Sequence, residues 1–204
     1  MAVVALPDVR FQVGRPRLID SVSVSRTGQR AISFVETADP FWEIPMRTIP
    51  LDAFDLARVE AFREVTRQGR NTVLYTPKHV CLPQAYWGNP DAPALANPGS
   101  VIVASGNSLS FNTVDNGLTL MPGDLIGLES VGDYRAMGRI ITGGVAAGGA
   151  MSVTVEPPIP PYIAVGAMVR FKDVTLNTRV LPGSFSIPDE FRPVASFTLI
   201  EVPR

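Results

Sequence analysis

Met151-Ser152-Val153-Thr154-Val155 carries an apolar side chain at every second position, and that period decides the fold class. Successive side chains of a strand point to opposite faces, so this run reads as a strand with one buried and one wet face. Outward from it, short apolar runs recur at 21–24, 31–35, 43–48, 72–76, 101–104, 118–120, 125–128, 135–142, 167–171, 174–181 and 196–202. The 19 Pro and 17 Gly of the 204 residues lie between and within these runs as turn residues. The spacing predicts a mainly β protein.

One segment departs from that pattern. Residues 52–68 contain no Pro or Gly, begin with Asp52 as a cap and stop at Gly69, which predicts a helix. Phe54, Ala57, Ala61, Phe62 and Val65 fall on one side at helical spacing, opposite Glu60, Arg63, Glu64 and Arg67. The first group is the expected packing face. Arg58 lies within that arc, either with its stem on the core and its head in water, or as an interface contact.

The chain divides by composition into an N-terminal arm (1–20), a first β portion with the helix (21–90) and a second β portion (91–204), the last two separable or one domain. Pro83, Gly88, Asn89, Pro90, Pro93, Pro98 and Gly99 mark a long irregular connection at the soft boundary. The run from Glu156 to Pro161 reads as an extended crossover between strands.

Composition removes several function classes. Lys+Arg of 18 against Asp+Glu of 19 leaves a formal charge of −1, with no basic excess for wrapping a polyanion. A single Cys (Cys81) excludes an intramolecular disulfide and multi-Cys metal centres, and a single His (His79) excludes multi-His centres. No run approaches the roughly 18 to 20 apolar residues of a membrane helix, and Met1–Leu6 stops at Pro7-Asp8, short of a signal segment. The expectation is a soluble chain with no membrane insertion.

The residues that invite chemistry each have a plainer reading. Gly143-Gly144-Val145-Ala146-Ala147-Gly148-Gly149 lacks the following helix and Lys-Ser/Thr pair of a phosphate loop and reads as a loop between strands. His79 and Cys81 share a face if extended, but nothing in the spacing supplies an orienting third group. Asp124, Glu129, Asp133 and Asp189-Glu190 sit around turns, where capping explains them. Asp115-Asn116-Gly117 is a turn sequence before it is a calcium loop. The reading assigns no catalytic residue, no cofactor and no metal.

The aromatic pairs are more informative. Phe41-Trp42 and Tyr86-Trp87 are core-or-interface anchors, or alternatively sugar-stacking platforms. Arg10, Phe11 and Arg58 are the candidate assembly contacts, with Phe11 in an arm that docks on a neighbour.

A resemblance runs through the chain in order. It begins at Phe41-Trp42-Glu43-Ile44-Pro45-Met46 and continues through the helix ending Ala61-Phe62-Arg63-Glu64-Val65-Thr66-Arg67-Gln68-Gly69, the strand at 71–76 and the loop at 84–90. Leu120-Met121-Pro122-Gly123-Asp124-Leu125-Ile126-Gly127-Leu128, Tyr134-Arg135-Ala136-Met137, residues 153–158 and Gly166-Ala167-Met168-Val169-Arg170-Phe171 follow. This order resembles the distal tail (Dit-like) proteins of bacteriophages with long non-contractile tails, over roughly residues 21–202. The resemblance implies a β-sandwich or tail-tube-like domain with one flanking helix, here with a small C-terminal β module and no large insertion. It further implies a hexameric ring in the virion tail, assembled in the bacterial host cytoplasm. Its partners are copies of itself, the tail tube protein and the tail hub protein, with DNA only as cargo through the lumen. A tube or baseplate hub subunit, a carbohydrate-binding β module and a small hydrolase working through Asp/Glu or Cys81 are the alternatives.

Overall fold

The computed structural model describes residues 2–12, 14–28 and 31–203. Its elements in chain order are β1 (Val3–Ala5), β2 (Arg17–Thr27), β3 (Ala31–Arg47), α1 (Ala53–Thr66), β4 (Thr72–Tyr75), β5 (Gly99–Ser105), β6 (Ser108–Asn112) and β7 (Thr119–Leu120). They continue with β8 (Leu125–Ser130), β9 (Tyr134–Thr142), β10 (Gly144–Val145), β11 (Ala150–Glu156), β12 (Met168–Arg170), β13 (Leu176–Val180) and β14 (Ser196–Glu201). The protein is mainly β with one α-helix, as its periodicity predicts.

Two sheets carry the architecture. A six-stranded sheet runs β1-β4-β13-β14-β3-β2, and β11-β6-β5-β12-β8-β9 close into an antiparallel barrel. The barrel interior is filled by Leu109, Phe111, Ile126, Leu128, Ile140, Val153, Val155 and Val169, so it is a packed core and not a channel. Met151 and Val153 point inward as their alternation requires, while Ser152 faces out and shares a hydrogen bond with Ser110 (2.8 Å).

The division of the chain into 21–90 and 91–204 does not follow these sheets. β13 pairs with β4 and β14 with β3, so residues 176–201 return to the first sheet instead of forming a C-terminal module. The barrel, residues 99–170, lies between β4 and β13 in the chain, a larger interruption than the sequence reading expects. Pairing across such a separation leaves no local mark, because it depends on which edges meet after collapse.

Trp42 sits at the junction of the two units. Alternation along β3 buries Trp42, Ile44 and Met46 on one face of the sheet, where the outward Met137 and Leu125 of the barrel also pack. The Trp42 indole N–H donates to the Met137 carbonyl (2.6 Å), and the Arg139 guanidinium lies over its ring at 5.1 Å.

The helix is capped as expected but turned differently. The Asp52 carboxylate accepts the Asp55 N–H (2.8 Å), and the chain leaves through left-handed Gln68 and Gly69. Its buried residues are Val59, Phe62 and Thr66; of the predicted packing face only Phe62 is inside. Phe62 meets Phe197 at 5.5 Å, and Phe185 stacks on Phe197 at 4.9 Å. These contacts rotate α1 so that Phe54, Ala57, Ala61 and Val65 face outward.

The glycine-rich stretch is a connection, as predicted, that also contains the short strand β10 paired with β7. A Cβ at Gly143 would collide with the Leu120 carbonyl, and Gly148 and Gly149 hold φ of 61° and 74°, so conformation and not ligand binding explains these residues.

Candidate assembly interface

β2 and β3 extend past the rest of the sheet. β14 accompanies β3 over residues 43–47, so among the described residues β2 is the sole strand partner of residues 31–42. The two runs predicted at 31–35 and 43–48 are therefore one continuous strand. Pro40 is accommodated by register shifts between Ile19/Ser21 and Ser21/Val22, where the Thr37 hydroxyl donates to the Ser21 carbonyl (2.8 Å). The exposed part, residues 32–39, is roughly 25 Å long at strand rise.

Register determines what each face of this hairpin carries. Val22 pairs with Glu36, Val24 with Phe34 and Arg26 with Ile32, so these six side chains share one face. The other face carries Ser23 opposite Val35 and Ser25 opposite Ser33. Phe34 is 69% exposed, Val24 56%, Ile32 49% and Val22 42%. Among the described residues no core lies beneath that apolar face. Fully burying one such side chain is worth about 1.5–3 kcal/mol, and a two-stranded hairpin alone is marginal in water. β2 is also the sheet's long edge, with β3 as its strand neighbour among the described residues.

The seven residues singled out in the sequence are dispersed. Trp42 is 1% exposed, a core joint with no ring face left for a sugar, while Phe41 lies half-buried on the opposite face of the sheet. Tyr86 is half-buried, its hydroxyl accepting the Thr119 N–H (2.8 Å) and donating to the Gly117 carbonyl (3.2 Å). Trp87 is 66% exposed, with its indole N–H on the Leu82 carbonyl (3.2 Å). Phe11 packs edge-on against Phe197 at 6.1 Å, and the exposed Arg10 offers its carbonyl to Ile49 N–H, so this part of the arm is tied to its own sheet. Arg58 bonds Asp55 and the Asp8 carbonyl, both at 3.2 Å, and holds the arm as well.

The ionisable groups serve the framework. Asp124 is buried and accepts N–H bonds from Gln84 (2.9 Å) and Met121 (2.8 Å), a turn cap that also pins the long loop to the barrel. Glu129 lines a cleft of about 380 Å³ with Arg135, Arg170 and Thr175. Burial raises its pKa, but hydrogen bonds from Arg170 (2.8 Å) and Thr175 (3.0 Å) and the charges of Arg170 and Arg135 outweigh that and lower it. Burial pushes Glu201 up to about 7 against the opposing Trp42 N–H, which its carboxylate accepts at 3.0 Å. His79 is lowered by burial and by the charges of Arg15 and Arg139. Among the described residues no three His, Cys, Asp or Glu converge to hold a metal ion.

Val22, Val24, Ile32 and Phe34 were legible as strand residues but not as an uncovered surface. Their signal is the run Ser21-Val22-Ser23-Val24-Ser25, whose alternation specifies a face without saying what lies against it. The chain matches no protein-family model and no curated protein.

Proposed function

We propose that this protein is a structural subunit of a phage tail that assembles with copies of itself into a ring at the junction of tail tube and tail tip. The observation that carries the reading is the β2–β3 hairpin with Val22, Val24, Ile32 and Phe34 exposed on one face. A lone subunit gains nothing from that surface, whereas a subunit surrounded by copies buries it. The ordered resemblance to distal tail proteins supplies the setting, the hexameric stoichiometry and the neighbouring tube and hub proteins. The role is architectural and requires no reaction of the chain; DNA passes through the ring as cargo.

The test is the mass of the purified chain in solution together with negative-stain images. Sixfold rings support the reading, and Phe34→Asp is expected to return single chains with an unchanged circular dichroism spectrum. Threefold particles would replace the ring with a hub subunit. Chains that stay single up to millimolar concentration overturn the proposal.

A further inference from the structure

We infer that the outward stripe Phe54, Ala57, Ala61 and Val65 on α1 is the seat for the hairpin's apolar face from a second copy of this chain. The inference rests on the self-assembly reading above and names the surface that receives the arm.

Three observations carry it. First, the hairpin face and a stripe on α1 both belong to the apolar surface left uncovered among the described residues. On the helix, Phe54 is 82% and Val65 48% exposed, with Ala57 and Ala61 exposed between them. The hairpin lies at the sheet edge and α1 packs over Phe197 of β14, so the two surfaces are different patches on one molecule. An interface between unlike patches is heterologous, and it closes into a ring when the rotation per subunit allows.

Second, the shapes match. The stripe from residue 54 to 65 is about 16 Å long at helical rise, and the hairpin face from Val22 to Arg26 is about 14 Å at strand rise. The small Ala57 and Ala61 between the larger Phe54 and Val65 leave a shallow saddle for Phe34.

Third, the charges are complementary. Arg26 stands at the tip end of the hairpin face and Glu36 at its base, diagonally across the Val24–Phe34 pair. On α1, Arg58 borders the N-terminal half of the stripe, and Glu60 and Glu64 border its other side. A hairpin laid with its base toward the start of the helix sets Glu36 near Arg58 and Arg26 near Glu64. Arg58 engages Asp55 and Asp8 through Nη1, and Glu64 meets Arg67 at 3.9 Å with both side chains mostly in water, a pair cheap to exchange.

The test uses full-length chains carrying Cys81→Ser. One population carries Val24→Cys and the other Ala61→Cys, and they are mixed under a mild oxidant. A disulfide-linked dimer that forms in the mixture and in neither population alone supports the inference. Arg26→Glu and Glu64→Arg are each expected to weaken assembly roughly tenfold, with the pair together restoring it. Ala61→Glu, at an exposed helix position, should abolish assembly while the melting curve of the dissociated chain, read at a concentration below assembly, stays in place. Rings that form without the mixed crosslink, and that tolerate Ala61→Glu, overturn this seat and leave the ring reading standing. A Val24→Cys population that crosslinks to itself overturns it in favour of a hairpin-on-hairpin contact. Chains that stay single at every concentration overturn both readings.

Discussion

Ser21-Val22-Ser23-Val24-Ser25 in the hairpin and Met151-Ser152-Val153-Thr154-Val155 in the barrel are almost the same sentence, yet they end in opposite environments. Met151, Val153 and Val155 are 7%, 4% and 0% exposed, whereas Val22 and Val24 are 42% and 56% exposed. Both runs alternate apolar with hydroxyl residues, and both pair antiparallel with a neighbouring strand. The difference is that β11 is closed between β6 and β9 around a filled interior, while distal β2 has, among the described residues, one strand partner and no core beneath it. Alternation thus determines which side chains travel together, and the rest of the molecule determines whether they are covered. In the barrel the covering is intramolecular; in the hairpin the same kind of face is exposed.

The widest expected gap comes from placing the same charge in both runs. Val153→Asp puts an unpaired carboxylate in the barrel core and is expected to cost about 4 kcal/mol or more in urea unfolding, or to prevent folding. Val24→Asp at the exposed position should stay within about 0.5 kcal/mol and act on assembly instead. Equal costs at the two sites would break the comparison.

Trp42 tests where the covered region ends, because it lies on the same strand as Phe34. Trp42→Ala removes the largest side chain at the junction of sheet and barrel and leaves the Met137 carbonyl without its indole partner. A loss of about 3–5 kcal/mol is expected, measured by thermal or denaturant unfolding. A loss below about 1 kcal/mol would mean that the two units do not depend on this packing.

Glu201 sharpens the same boundary through pH. Its folded pKa of about 7 lies above the ordinary 4.5, so the folded protein keeps a proton that the unfolded chain gives up. Its contribution is fully present below about 4.5 and is lost as pH rises to about 7. Glu201→Gln retains an acceptor for the Trp42 N–H and removes that loss. The variant is therefore expected to gain about 1–2 kcal/mol over the wild type at pH 8 and little at pH 4, read from melting midpoints across the range. A constant difference across pH would place the carboxylate in water. At the surface end of the scale, Arg58→Ala should change stability by at most about 0.5–1 kcal/mol, since its pair with Asp55 is exposed.

These contrasts account for what was legible. The cap at Asp52, the helix limits and most strands rest on neighbours within a few residues, and the chain states them directly. β6 carries the same local mark, Ser108-Leu109-Ser110-Phe111 after the Gly106-Asn107 turn, although it lies outside the short apolar runs named from the sequence. The helix face expected from spacing runs through Phe54, Ala57, Ala61, Phe62 and Val65, and the buried one runs through Val59, Phe62 and Thr66. Local spacing favours the first, and the rings of Phe185 and Phe197, contributed from more than a hundred residues away, select the second. The candidate interface escaped the sequence for the same reason, since its aromatic signposts, Trp42 and Tyr86, turned out to be internal fastenings.

By itself the sequence determined the local menu: alternating strands, one capped helix, glycines at left-handed turns and Asp124 as a cap, because each follows from bonds and periodicities a few residues long. Only the tertiary structure decided that β13 and β14 return across the barrel to the first sheet, which helix stripe is buried, and that the Val24–Phe34 face stands bare. Those outcomes depend on which distant surfaces meet, and burial belongs to the pair of surfaces and not to either strand alone.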